Sequence, residues 1–183
     1  MPQNASRRDV FLSAGAIAAG LGAARAADSA PSEAPGEISR SRAAIHQEVH
    51  FSASPARVYR VLTVAAEFDK VVALSRAMNS ALKSKLGTRP TRIAARPGGA
   101  FALFGGYITG FNLELAPAVR LVQAWREASW PPGLYSVARF ALASQGGGTR
   151  LVFDHTGIPD ADAEDLAEGW RADYWEPLAK VLR

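Results

Sequence analysis

Cysteine is absent from this 183-residue chain, and that absence removes several function classes at once. There is no disulfide framework, no thiolate metal site, no Cys nucleophile and no Cys to lipidate near the N-terminus. Long apolar runs are missing as well. The only extended one, Val10 to Ala24, is about 15 residues, short of the roughly 20 that a bilayer requires. Catalytic grammar is equally thin. Gly146-Gly147-Gly148-Thr149 lacks the lysine and the strand-to-helix context of a phosphate-binding loop. No nucleophile elbow exists, and Ser136, Asp154 and His155 suggest a triad by composition alone. The acidic run over residues 160–168 reads as a helix N-terminus rather than a calcium loop.

What is present divides into an address, a linker and a domain. Ser6-Arg7-Arg8-Asp9-Val10-Phe11-Leu12, the Ala/Gly-rich run to Ala24 and the small-residue site Ala24-Arg25-Ala26 have the layout of an export signal. The paired arginines resemble a twin-arginine signal. Residues 1–26 are therefore expected to be a twin-arginine signal peptide, with the mature protein periplasmic or secreted. Removing them takes Arg7, Arg8, Arg25 and Asp9 from 21 basic and 17 acidic residues, lowering the net charge from +4 to +2. A near-neutral chain has no strong electrostatic reason to bind nucleic acid or anionic membrane, and no stable membrane insertion of the mature chain is expected. Residues 27–39, small and polar with two prolines, read as a flexible linker. One domain over 40–183 follows.

Ile45, Gln47, Val49 and Phe51 alternate with His46, Glu48 and His50, the pattern of a strand with one face inward. Ser54-Pro55 starts a helix, with a hydroxyl cap and Pro at the first helical position. Val71, Leu74, Met78, Leu82 and Leu86 then predict a second helix stopped by Gly87. From Arg92 to Gly157 the period becomes two. Gly and Pro turns separate runs at Arg92–Arg96, Phe101–Phe104, Tyr107–Leu115, Arg120–Glu127, Tyr135–Ala143 and Arg150–His155. These predict a six-stranded antiparallel meander. Leu166, Trp170, Tyr174, Leu178 and Leu182 recur every fourth residue along a final helix that Pro177 should kink. The expected class is α+β: a curved antiparallel sheet wrapped around a long C-terminal helix.

Residue identities sharpen this. The stretch Phe104-Gly105-Gly106-Tyr107-Ile108-Thr109-Gly110 continues through Leu115, Pro117 and Val122 to Trp125-Arg126. Trp130-Pro131, Gly133, Ser136, Gly148-Thr149-Arg150-Leu151, His155 and Gly157-Ile158-Pro159 follow, then Gly169-Trp170, Tyr174-Trp175 and Leu178. Over roughly residues 44–183 the chain resembles the family of activators of the heat-shock protein 90 ATPase, in particular that activator's C-terminal domain. The resemblance implies the helix-grip fold of the START/birch-pollen-allergen (SRPBCC) superfamily. In the eukaryotic activators a separate N-terminal domain contacts the chaperone; here a signal and linker stand in its place. Exported compartments are not expected to contain that chaperone or ATP, so the family's fold transfers more readily than its function.

The aromatic residues are the candidate site. Phe101, Tyr107, Phe111, Trp125, Tyr135, Phe140, Trp170 and Tyr174, with His155 near the end of the last strand, either fill the space between helix and sheet or ring a cavity there. Gly110, inside a strand pattern, marks a bulge or a close approach of the terminal helix; Gly169 beside Trp170 similarly permits close packing. Arg126 is a surface ion pair or a recognition charge. His155 is a bonded core histidine or a pocket anchor. His46, Glu48 and His50 form a polar strand face with the spacing of a metal ridge, and no metal is assigned. The expected function is binding of an apolar or amphipathic small molecule, or a peptide segment, between helix and sheet. The alternative is a co-chaperone-like module that binds a protein partner. No cofactor and no catalytic residue are expected.

Overall fold

The computed structural model describes residues 37–38 and 43–183. The signal expected over 1–26 and most of the linker expected over 27–39 lie outside the described residues. Within them, alternation builds the sheet. Strand β1 (Glu37–Ile38) is short, at the end of the stretch read as a linker. Strand β2 (Ala43–Phe51) buries Ile45 and Phe51 and exposes His46, Glu48 and His50. The meander follows as β3 (Arg92–Ile93), β4 (Ala100–Leu103), β5 (Ile108–Ala116), β6 (Arg120–Glu127), β7 (Leu134–Gln145) and β8 (Gly148–Ile158). The path is β2-β8-β7-β6-β5-β4-β3, antiparallel throughout, while β1 pairs parallel with Leu134 and Tyr135 of β7. Strand β2 thus pairs with the last strand, β8, and the meander fans out from it.

Helix α1 (Pro55–Thr63) starts where Ser54 accepts a hydrogen bond from the Arg57 N–H and Pro55 supplies the first helical φ. Helix α2 (Ala65–Leu74) ends earlier than expected. Ser75, fully buried, donates its hydroxyl to the Val72 carbonyl and accepts from the Met78 N–H. A serine that bonds its own backbone competes with the helix ladder, so the chain continues as two 3₁₀ turns, Ala77–Asn79 and Ala81–Lys85. Leu74, expected on the buried stripe, is instead exposed. Gly87 also has a different reason from helix termination. A Cβ on it would lie 2.2 Å from the Gly105 carbonyl oxygen, and one on Gly105 would lie 1.8 Å from that of Gly87. Two backbones touch there.

The terminal helix carries the main departure. After a 3₁₀ turn at Asp160–Asp162 it runs as α3 (Ala163–Gly169), a π-helical turn (Trp170–Trp175) and α4 (Glu176–Val181). At 3.6 residues per turn, a strict four-residue repeat drifts by about 40° per step. The wider π turn rotates less per residue and returns the stripe to the sheet. Leu166, Trp170, Tyr174, Leu178 and Leu182 are all buried as a result. Pro177 was expected to kink the helix; the wide turn precedes it instead. The Ala172 carbonyl, five residues before this donor-less proline, accepts from the Arg76 N–H. Gln47 of β2 accepts from the Trp175 indole and donates to the Ala167 carbonyl at 2.9 Å, spanning the widened turn.

Candidate functional site

Between the N-terminal part of this helix, the 3₁₀ turns after α2 and the inner face of β5 and β6 lies a cleft of about 630 Å³. Its floor is Trp125, Trp170 and Tyr174, with Phe104, Ile108 and Leu166 beside them. Alternation explains the β6 contribution: Trp125 and Glu127 are two apart and share the inner face. Phe104 holds a positive φ of 49° while buried. A bulky residue in that region is strained, and here the strain sits where the chain turns from β4 into the cleft wall. Phe104 packs on Phe68 and Tyr174, with ring centroids 5.9 and 5.3 Å apart.

The nine residues expected to bind ligand divide. Tyr107, Trp125, Trp170 and Tyr174 line the cleft. Phe140 and His155 lie directly behind, their rings 5.8 and 5.5 Å from Trp170. Phe101 is buried over Gly110, where a Cβ would meet its ring at 2.5 Å. The close approach at Gly110 therefore comes from the Ala124 carbonyl of β6, 2.0 Å from such a Cβ, and from Phe101, and not from the terminal helix. Phe111 and Tyr135 pack against each other at 5.7 Å away from the cleft lining, with Phe111 42% exposed. Gly169 lines the cleft, and a Cβ there would meet only the Asp173 carboxylate, at 3.9 Å. It permits access, not close packing.

His155 is a satisfied core histidine. The Trp170 indole, a donor only, gives its N–H to Nδ1 at 3.0 Å, which places the ring proton on Nε2. That proton faces the Ser136 hydroxyl at 2.6 Å, and Ser136 donates to the Trp125 carbonyl at 3.0 Å. Burial lowers the His155 pKa to about 3. The pair is no nucleophile system, because Ser136 has no exposed surface and Asp154 faces away, bonded to His46 Nδ1 at 2.7 Å. The relay instead positions both floor tryptophans. On the outer face Glu48 pairs with Arg150 and His46 is bonded to Asp154, along the strand side read as a polar face. Arg126 donates to the carbonyls of Trp130 and Pro131, holding the loop after β6.

The cleft rim was missed by sequence reasoning. Glu127, Asp162, Asp165, Glu168 and Asp173 line it together with Arg76. Glu127 accepts from the hydroxyls of Tyr107 and Ser129, and Asp162 accepts from the Trp130 indole at 2.8 Å. Tyr107 is pushed up to about 12 by burial and then by its bond to Glu127. The signal was legible in spacing: Glu127 shares a face with Trp125, and Asp162 and Asp173 sit one turn from Leu166 and Trp170. Two polar atoms of the floor have no hydrogen-bond partner among the described residues, the Trp125 indole Nε1 and the Tyr174 hydroxyl. They face each other: burial raises the Tyr174 pKa, and the neighbouring Trp125 indole N–H pulls it part of the way back.

Comparison with known proteins bears on the whole domain. The chain is 28% identical over 132 residues to the human activator of 90 kDa heat shock protein ATPase homolog 1, covering 72% of this chain and 35% of that one. It is 37% identical over 75 residues to the activator of Dictyostelium discoideum, covering 40% of this chain and 20% of that one. The chain therefore spans about a third or less of the length of these curated relatives. An HSP90 activator from Plasmodium falciparum superposes with a TM-score of 0.65 at 19% identity, over 76% of this chain and 95% of the other. That likeness shows the helix-grip fold. With the family's model matched across residues 52–183, the chain belongs to the Activator of Hsp90 ATPase homolog 1-like family.

Proposed function

We propose that this domain binds an apolar or amphipathic small molecule in the cleft between the terminal helix and the sheet. The observation that carries the reading is the floor itself. Buried donors and acceptors are paired in the great majority of cases, yet among the described residues Trp125 Nε1 and Tyr174 Oη have no hydrogen-bond partner at the aromatic floor of the cleft. A ligand with an apolar body and a few polar atoms suits such a surface. Export is part of the same proposal and rests on Arg7-Arg8 and the Ala24-Arg25-Ala26 site.

Native mass spectrometry of protein purified from its own host is the test, with a co-purifying small molecule as the expected result. The Gly169→Leu variant should lose that molecule while keeping its melting temperature, because the added side chain enters the cleft with no backbone in its way. A second reading follows the human relative, named for its action on a heat-shock ATPase, and makes the domain a co-chaperone-like module. If the purified domain raises the ATPase rate of heat-shock protein 90 and carries no small molecule, that reading replaces the first.

A further inference from the structure

The rim carries information about the charge of the ligand. Glu127 and Asp162 are half-buried, and among the described residues neither meets a cation. Glu127 is held by the hydroxyls of Tyr107 and Ser129, and Asp162 by the indole of Trp130. Neutral donors fix the direction of these carboxylates without cancelling their charge. Asp165 adds a third, exposed and outside any ion pair. Among the described residues Arg76 is the one guanidinium of the lining, and Glu168 and Asp173 already face it at 3.3 and 3.9 Å. Partly desolvating a carboxylate without a counter-charge is costly, and the fold does so twice at one cleft.

A second observation lies beneath. Tyr174 is 6% exposed and lines the cleft; among the described residues neither its hydroxyl nor the Trp125 indole N–H beside it has a partner of hydrogen-bonding geometry. Both Glu127 and Asp162 act on Tyr107, and both Asp173 and Glu127 act on Tyr174, in each case raising the phenol's pKa after the larger effect of burial. Glu127 and Asp173 therefore act on the floor as well as on the rim. Aromatic faces add attraction for a cation, most strongly where water is excluded.

Resting on the small-molecule reading above, we infer that the cleft takes an organic cation, with its ammonium at Glu127 and Asp162 and its apolar body on Trp125, Trp170 and Tyr174. The test is calorimetric titration of the full chain with 4-phenylbutylamine, 4-phenylbutanol and 4-phenylbutyrate near neutral pH, at low and high salt. The amine should bind about tenfold more tightly than the alcohol at low salt, and the carboxylate most weakly. High salt should shrink the amine's advantage, because the rim is only partly shielded from solvent. Glu127→Gln combined with Asp162→Asn should lower the amine's affinity to that of the alcohol; each amide can still accept from the existing donors. The wild-type head-group and salt comparison decides the matter even if that double variant fails to fold. If the alcohol or carboxylate binds as tightly as the amine, the charge inference falls while the cleft remains a binding site. If none of the three binds, both readings fall.

Discussion

At one end of the helix–sheet seam, Leu178 is 1% exposed, Phe153 packs edge-on to Trp175 at 5.1 Å and tilted to Phe140 at 5.0 Å, and the Trp175 indole is bonded to Gln47. At the other, Tyr174 and Trp125 keep unpaired polar atoms under a cleft with a carboxylate rim. One aromatic stripe supplies both ends. The difference teaches where each property resides: among the described residues the closed end leaves no buried side-chain polar atom unpaired, and the open end leaves two. Departures from such consistency concentrate at functional sites.

The largest expected effect is at the closed end. Phe153→Ala removes a fully buried ring and should cost about 3–5 kcal/mol in urea unfolding. A loss below about 1 kcal/mol would mean that this end is not closed. The comparison can next be sharpened at His155, which joins the two ends through Trp170. Its folded pKa lies near 3, below the roughly 6.5 of an unfolded histidine. Between those values the unfolded chain binds the extra proton, so stability is full above about pH 6.5 and falls as pH drops toward 3. The slope from one such proton is at most about 1.4 kcal/mol per pH unit. His155→Gln can still accept from Trp170 and donate to Ser136, and should flatten the decline between those limits. An unchanged pH profile would contradict a neutral, buried imidazole. The smallest effect belongs to the open end. Tyr174→Phe deletes an unpaired hydroxyl, so stability should stay within about 0.5 kcal/mol or rise. A clear loss would show that the hydroxyl has a partner after all.

Much of the closed end was legible in the sequence. Alternation in β2 put Ile45 and Phe51 inward, and the run Arg120–Glu127 matches its strand residue for residue. The every-fourth stripe identified the helix face, although not the π turn that keeps five such residues on it. That turn depends on Pro177 and on Gln47 reaching across from another element, which no local pattern reveals. Helix α2 was overextended because apolar spacing continued past Ser75, whose hydroxyl decides the ending. The open end was half legible. Four of its aromatics were named in advance, yet the acidic run over 160–168 was read only as a helix N-terminus, and Asp173 was not singled out. Their role on the cleft depends on how α3 lies over β6, a tertiary arrangement. Phe111 and Tyr135 illustrate the converse: aromatic in type, but on the wrong face.

The central claim is that the open end, and not the closed one, receives a ligand. Indole N–H resonances separate the two directly, because Trp125 lines the cleft floor while Trp175 is bonded to Gln47 in the closed end. Titrating the ¹⁵N-labelled protein with 4-phenylbutylamine should shift the Trp125 indole signal in a saturable way, while that of Trp175 stays in place. Saturable binding that moves Trp175 and leaves Trp125 unshifted, or no saturable shift at either, would contradict the account.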